Sequence, residues 1–444
     1  MGHLPPGPKG HAVLGNMQEF HRDPLGFALS CARDYGDITR VRFLHKPAYY
    51  LSHPDHIEYV LSTNYRNFKK AFTLRIPFMR RLAGNGLLTS EGDSWLRQRR
   101  LVQPAFHRER TVSYGDVMIA YTERMLDTWY AGEVRDVQQE MMRLTLEIVV
   151  KTLFDRDMAR ESDDTRKVLE FIIKSFGDAG SVSWFLDNIL PTPHNRRFRR
   201  AVNQLDKFLY GIIHERRASG RDQGDLLSML LQAQDDDGAH MSNKQLRDET
   251  MTLFFAGHET SALALSWTWY LLAQNPEVEA KLLNELRDVL GGRSPRVTDL
   301  HALVYTERII KESMRLYPPF WGIGREAIKE CEVGGYRVPA GTQLFMFQWV
   351  VHRDPRYYDR PEEFIPDRWA GDFDKRLPRY AYFPFGGGPR MCIGSSFAMM
   401  ETVLLLATIA QRFRLRLIPE HVVEPWAPFT LRSRNGIQVV LDKR

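Results

Sequence analysis

The chain has 444 residues, 43% hydrophobic and 26% charged, with 31 Gly and 24 Pro, a composition that excludes extended disorder and is that of a packed globular protein. Its net charge is +6, from 61 basic and 55 acidic side chains scattered along the chain, so no basic stripe for nucleic acid stands out. Three cysteines, Cys31, Cys331 and Cys392, with no CxxC pair, exclude a disulfide framework and lead us to expect a reducing compartment, the cytoplasm.

The first residues, "MGHLPPGPKGHAVLG", hold neither a signal-peptide core nor a span-length apolar stretch; the longest apolar run, "VLLLATIA" (403–410), is far too short to cross a bilayer. Strand-like runs follow at "DITRVRF" (37–43) and "AYYLS" (48–52), rich in β-branched and aromatic residues, with a turn expected around Lys46-Pro47. From about Tyr114 to Tyr317 the pattern is helical. Its clearest helix starts at Ser242, where Ser242 and Gln245 make a capping-box pattern, and runs to Asn275 before Pro276. Apolar through "MTLFFAG" and "ALALSWTWYLL", it must be buried over most of its surface. Another helix, "TERIIKESMRLY" (306–317), is stopped by Pro318-Pro319. Short strands in "YRVPAGTQLFMF" (336–347), a Pro-rich stretch from Pro355 to Pro389, a cysteine segment with its own helix, and a C-terminal hairpin pattern ending "GIQVVL" (436–441) complete the chain. The expected fold is mainly α with a minor β region, one domain over residues 1–444 whose β-rich part lies at about 1–60 and 325–390.

The cysteine segment, "YFPFGGGPRMCIGSSFAMMETVLLLATIAQRF" (382–413), carries the chemistry. Gly386, Gly387 and Gly388 let the backbone take positive φ and approach a flat object closely. Cys392 then precedes an apolar helix whose free N–H groups and dipole favour an anionic sulfur. A lone thiolate with no neighbouring His or Cys cannot close a tetrahedral zinc site. Haem iron, by contrast, needs a single protein ligand, and an axial thiolate favours O–O cleavage. Taken alone, a Cys ahead of an apolar helix is more often a small buried hydrophobe. The spacing reverses those odds. Phe385-x-x-Gly388-x-Arg390-x-Cys392-x-Gly394 resembles the haem-binding signature of the cytochrome P-450 family.

That resemblance extends from "LPPGP" to the C-terminal hairpin and implies the cytochrome P-450 fold, with the long central helix crossing haem b. In that helix "AGHET" (256–260) is similar to the family's oxygen-activation motif: Ala256 and Gly257 leave room for dioxygen, Thr260 offers it a hydroxyl donor, and Glu259 is a candidate proton relay. On their own, Glu259 and Thr260 would read as residues that merely bend a helix. Glu312 and Arg315 in "KESMRLYPP", with Arg368 in "PEEFIPDRW", resemble the family's structural Glu-x-x-Arg and Arg network. Implied propionate partners are Trp95 and Arg99 in "SWLRQRR", Arg325 in "GIGREA" and Arg390, with His352 a further candidate whose alternative is a surface or supporting role. The resemblance implies that Phe385 packs beside the sulfur.

Neither the N-terminal anchor of microsomal members nor a fused flavin or iron-sulfur segment is expected. Electrons are therefore expected from NAD(P)H through a ferredoxin or flavodoxin with its reductase. Arg97, Arg100, Arg108 and Arg110 offer either a basic docking face or a plain solvated helix face. The run "HNRRFRR" (194–200) could touch lipid or an acidic substrate, though an exposed helix start explains it as well. By analogy the substrate wall includes Phe78, Phe254, Phe255, Phe320, Trp321 and Phe429, an apolar lining for a fatty acid, terpenoid or steroid, and Arg75 as a carboxylate clamp tilts the choice towards fatty acids. The expected activity is that of a monomeric haem-thiolate monooxygenase. A peroxide-driven peroxygenase of the same fold would replace the Glu259-Thr260 pair, and a haem sensor would need no proton relay.

Overall fold

The computed structural model describes residues 3–106, 112–158, 164, 167–169, 171–172, 175 and 192–444. It divides into two compact units, Met1–Arg75 with Lys311–Ile393, and Ile76–Ile310 with Gly394–Arg444.

The first unit is built on a five-stranded sheet. Strands Ile38–Phe43 and Lys46–Leu51 form an antiparallel hairpin. Its turn falls at Leu44 and His45, with Leu44 at φ 55°, rather than around Lys46-Pro47. Pro47 lies inside the strand, one residue before Ala48 begins the pairing with the next strand, so its missing N–H costs that ladder nothing. The second strand runs parallel to Gln343–Met346, which continues antiparallel to Ile323–Ala327 and then Phe68–Lys70. Period-2 alternation sorts the side chains. Tyr49, Leu51, Leu344 and Met346 enter a core that also holds Tyr380 and Phe383, while Tyr50, Phe345 and Phe347 stack edge to face and face to face on the opposite side. The segment leading to Cys392 is thereby tied to the sheet core at Phe383.

The second unit is helical and centred on Asn243–Gln274, 32 residues and about 48 Å long at 1.5 Å per residue. The Ser242 hydroxyl accepts from the Gln245 N–H at 3.2 Å, while the Gln245 side chain accepts from Arg97 instead of completing the capping box. Helices Val137–Phe154, Pro193–Ser219 and Ser395–Arg412 pack on it, and the Thr145 hydroxyl of the first donates to the His258 carbonyl at 2.9 Å. The chain end differs from the expected hairpin: Gln438–Lys443 lies between Phe413–Leu417 and Val134–Asp136 in a three-stranded antiparallel sheet. A small hairpin, Pro425–Trp426 with Arg432–Ser433, is pinned to the long helix where Trp267 Nε1 donates to the Leu431 carbonyl at 2.9 Å. No helix among the described residues is long and apolar enough to cross a membrane.

Candidate active site

In the first unit, Gly386 and Gly388 take φ values of 72° and 66°, which a glycine adopts without steric cost. Gly388 is further constrained because a Cβ there would stand 1.9 Å from the Leu61 carbonyl oxygen. Cys392 donates its N–H to the Phe385 carbonyl at 2.9 Å, closing the loop on itself. Of the three cysteines Cys392 alone is exposed. Cys31, by contrast, is buried, and burial pushes its thiol up to about 12.

The loop is held from behind by a buried ionic cluster. Arg315 grips Glu312 through two bonds of 2.9 Å, and Arg368 Nε and Trp369 Nε1 reach the same carboxylate at 2.8 and 2.9 Å. Arg315 also donates to the carbonyls of His352, Pro361 and Glu363. His352 in turn accepts the Phe383 N–H at 3.0 Å. The structure thus corrects the surface and propionate readings of His352: it is fully buried, kept neutral by desolvation and by Arg315 and Arg353, and it carries the cluster's rigidity to the segment before Cys392. Trp369 escaped the sequence reading, although its position next to Arg368 was a usable signal. Arg325 is buried on its strand beside Gly324, whose carbonyl accepts from it at 2.9 Å. Arg390 closes the short turn Gly388–Arg390.

In the second unit the long helix is buried from Leu246 to Trp269 except at Ala256, Gly257 and Thr260, which share one face. The Thr260 hydroxyl donates to the Ala256 carbonyl at 2.7 Å. Phe254 and Phe255 meet edge to face at 5.1 Å beside this opening. His258, unremarked in the sequence, is buried against Phe254, and desolvation lowers its pKa to about 4. Glu259 departs from the expectation of an open relay. Its carboxylate is 1% exposed, ion-paired with Arg432, and accepts from the Thr430 hydroxyl at 2.6 Å. Trp95 and Arg99 occupy one face of Gly92–Val102, Trp95 buried and Arg99 half-buried. Gly394 caps the helix Ser395–Arg412, and a Cβ there would meet nothing closer than Phe106 at 3.7 Å.

Two charge expectations need correction. Arg75 is no free carboxylate clamp, because Glu326 pairs with it and with Lys69. Arg97 is bonded to Asp235 at 2.7 Å and Arg100 to Asp236 at 2.9 Å, so this part of the supposed docking face is neutralised by its own chain. Arg108 and Arg110 lie outside the described residues. Arg196, Arg197, Arg199 and Arg200 are exposed at the start of Pro193–Ser219, with Phe198 turned inward. Among the wall residues, Phe78 stacks on Phe198 at 4.5 Å and Trp321 on Phe347 at 5.3 Å, whereas Phe320 and Phe429 stay half-buried.

Each unit by itself carries groups that suit a haem. In the first, Cys392 is an exposed residue on a glycine-shaped loop and Arg325 and Arg390 are cations of the kind that binds propionates; in the second, the open helix face bears only small residues and one hydroxyl. A mainly helical fold with such a loop defines a haem-thiolate protein. The chain belongs to the cytochrome P450 family, whose model matches residues 5–439, and it is a monooxygenase that uses haem and takes electrons from NAD(P)H through a redox partner. It is 39% identical to cyclooctatin synthase of Streptomyces melanosporofaciens, over 96% of this chain and 93% of that one. It is also 37% identical to the cyclooctat-9-en-7-ol 5-monooxygenase of the same organism, over 92% and 88%, and 34% identical to the pentalenene oxygenase of Streptomyces avermitilis, over 97% and 96%. Among solved structures, retinoic acid-bound cyanobacterial CYP120A1 superposes with a TM-score of 0.88, at 26% identity and with full coverage of both chains.

Proposed function

We propose that this chain hydroxylates a polycyclic terpenoid, consuming dioxygen, NAD(P)H and a proton and releasing the alcohol, water and NAD(P)+. The observation that carries the reading is the opening at Ala256, Gly257 and Thr260 in an otherwise buried helix, flanked by Phe254 and Phe255. Small side chains admit a flat group to the backbone, and the aromatic flank favours an apolar ligand held by burial. The named relatives act on an alkene or an unsaturated alcohol, and the engagement of Arg75 with Glu326 weakens the case for a fatty acid.

Haem b, when bound, supplies the redox chemistry that divides dioxygen between substrate and water, and an axial thiolate favours the cleavage this requires. Cys392 would hold the iron, with Phe385, Gly388 and Gly394 shaping its segment. Trp95, Arg99, Arg325 and Arg390 would take the propionates. Glu312, Arg315 and Arg368 keep the loop rigid through His352. Ala256 and Gly257 would leave space for dioxygen, the Thr260 hydroxyl, now on the Ala256 carbonyl, would be the donor nearest that space, and Glu259 would relay protons once freed from Thr430 and Arg432. Phe78, Phe254, Phe255, Phe320, Trp321 and Phe429 exclude water around the substrate. The protein works as a monomer in the cytoplasm, a location suited to three free cysteines. The electron donor is a ferredoxin or flavodoxin with its reductase, recognised by cations other than Arg97 and Arg100.

The test is a difference spectrum of the dithionite-reduced protein with and without carbon monoxide, followed by titration with pentalenene and with dodecanoic acid. A strongly red-shifted Soret band and a substrate-induced spin shift with pentalenene alone support the reading. A shift with the acid alone overturns the terpenoid assignment, and a band at the histidine-ligated position overturns the role of Cys392.

A further inference from the structure

Glu259 and Thr260 are neighbours in sequence but lie on different faces of the helix. Thr260 is on the open face, its hydroxyl on the Ala256 carbonyl. The Glu259 carboxylate points to the small C-terminal hairpin, where one oxygen, Oε1, receives both the Thr430 hydroxyl and the Arg432 guanidinium. Its other oxygen, Oε2, is buried with no hydrogen-bond partner among the described residues, as is Arg432 Nε. A buried pair with a spare acceptor on one member and a spare donor on the other has room to rearrange, because each has an unmet bond to gain. The hairpin itself is anchored two helical turns further on, where Trp267 holds the Leu431 carbonyl. Thr430 and Arg432 therefore grip Glu259 from either side of a fixed point, and Phe429, half-buried, is the residue next to Thr430.

We propose that Arg432 and Thr430 form a latch that holds the Glu259 carboxylate away from Thr260, so that proton delivery waits on movement of the hairpin segment carrying Phe429. They are positioning residues, acting through Glu259, and the inference rests on the monooxygenase reading of the site. A substrate pressing on Phe429 shifts Thr430 and Arg432 with it and frees the carboxylate to serve Thr260. An empty pocket leaves the latch shut and protects NAD(P)H from futile oxidation. In that futile reaction dioxygen, NADPH and one proton give hydrogen peroxide and NADP+, with both electrons coming from NADPH through the redox donor.

The experiment uses the full-length, haem-loaded protein without substrate, supplied with NADPH, a plant-type ferredoxin and its reductase. It compares wild type with Arg432→Met, Arg432→Lys, Thr430→Val, Glu259→Gln and the Arg432→Met/Glu259→Gln double variant. With the latch removed by Arg432→Met, peroxide release rises about threefold or more and its solvent isotope effect falls towards one. Arg432→Lys stays near wild type, Thr430→Val is intermediate, and the Met change has no effect in the Glu259→Gln background. Thermal unfolding gives a readout independent of turnover: Arg432→Met lowers Tm by about 3 °C or more, and adding Glu259→Gln restores most of it, since the stranded charge is gone. A fall in Tm with unchanged peroxide release and isotope effect would mean a purely structural pair and overturn the proposal. So would a peroxide rise that persists in the Glu259→Gln background. A wild-type protein lacking the thiolate-type carbon monoxide band overturns the monooxygenase reading itself, an outcome separate from either.

Discussion

Glu312 and Arg315, three residues apart on one helix, form a two-bond ion pair in which both side chains are 0% exposed. All the polar atoms of the pair itself are engaged: Arg368, Trp369 and the Ile365 N–H complete the carboxylate, and three carbonyls complete the guanidinium. Removing one partner strands a buried charge at a cost of about 3–5 kcal/mol. Arg315→Leu and Glu312→Gln are therefore expected to give protein with little bound haem, measured as haem per polypeptide. A variant with full haem and slowed turnover would count against the supporting role.

Gly388 and Gly394 make a matched pair for the same loop. Gly388→Ala forces an L side chain to φ 66° and drives its Cβ into the Leu61 carbonyl, so it should lose more than the roughly 1–2 kcal/mol of left-handed strain alone. Gly394→Ala meets nothing closer than 3.7 Å and should unfold within about 0.5 kcal/mol of wild type. Denaturant titration of the haem-free proteins separates the two.

Buried His258 makes stability depend on pH. Its pKa falls from the ordinary 6.5 to about 4 on folding because burial disfavours the imidazolium. The unfolded chain thus binds the proton first, and stability is fully present above about pH 6.5 and is lost as pH falls from there towards 4. The loss should approach about 3 kcal/mol at pH 4. His352, lowered for the same reason, adds to the loss in the same direction. Unfolding curves from pH 7 to pH 4 should be flatter for His258→Gln than for wild type, and equal slopes would exclude a neutral buried imidazole at that position.

Among the described residues Thr260 bonds only to its own helix, through the Ala256 carbonyl, so Thr260→Ala should leave haem content and Tm nearly unchanged. Product formed per NAD(P)H consumed should fall about tenfold or more, with peroxide making up the difference. Unaltered coupling would remove the hydroxyl from the mechanism.

Features that rest on local rules were legible from the residues alone. The turn at Gly386–Gly388 follows from glycine's access to positive φ, the start of the long helix from a serine cap, and the Glu312–Arg315 pair from i,i+3 spacing on one helix face. Each involves residues within a turn or two of one another, so their geometry is written in the spacing. Tertiary structure alone decided where charges far apart in sequence meet. It gave Glu259 to Arg432 and Thr430, Arg75 to Glu326, Arg97 and Arg100 to the aspartates at 235 and 236, and it placed His352 behind the cysteine loop. It also set the last strand between partners at 134–136 and 413–417 instead of in a hairpin. A side chain's period or type announces that it needs a partner, but which partner depends on how distant segments pack, and burial then fixes the choice because an unpaired charge there is too costly to keep.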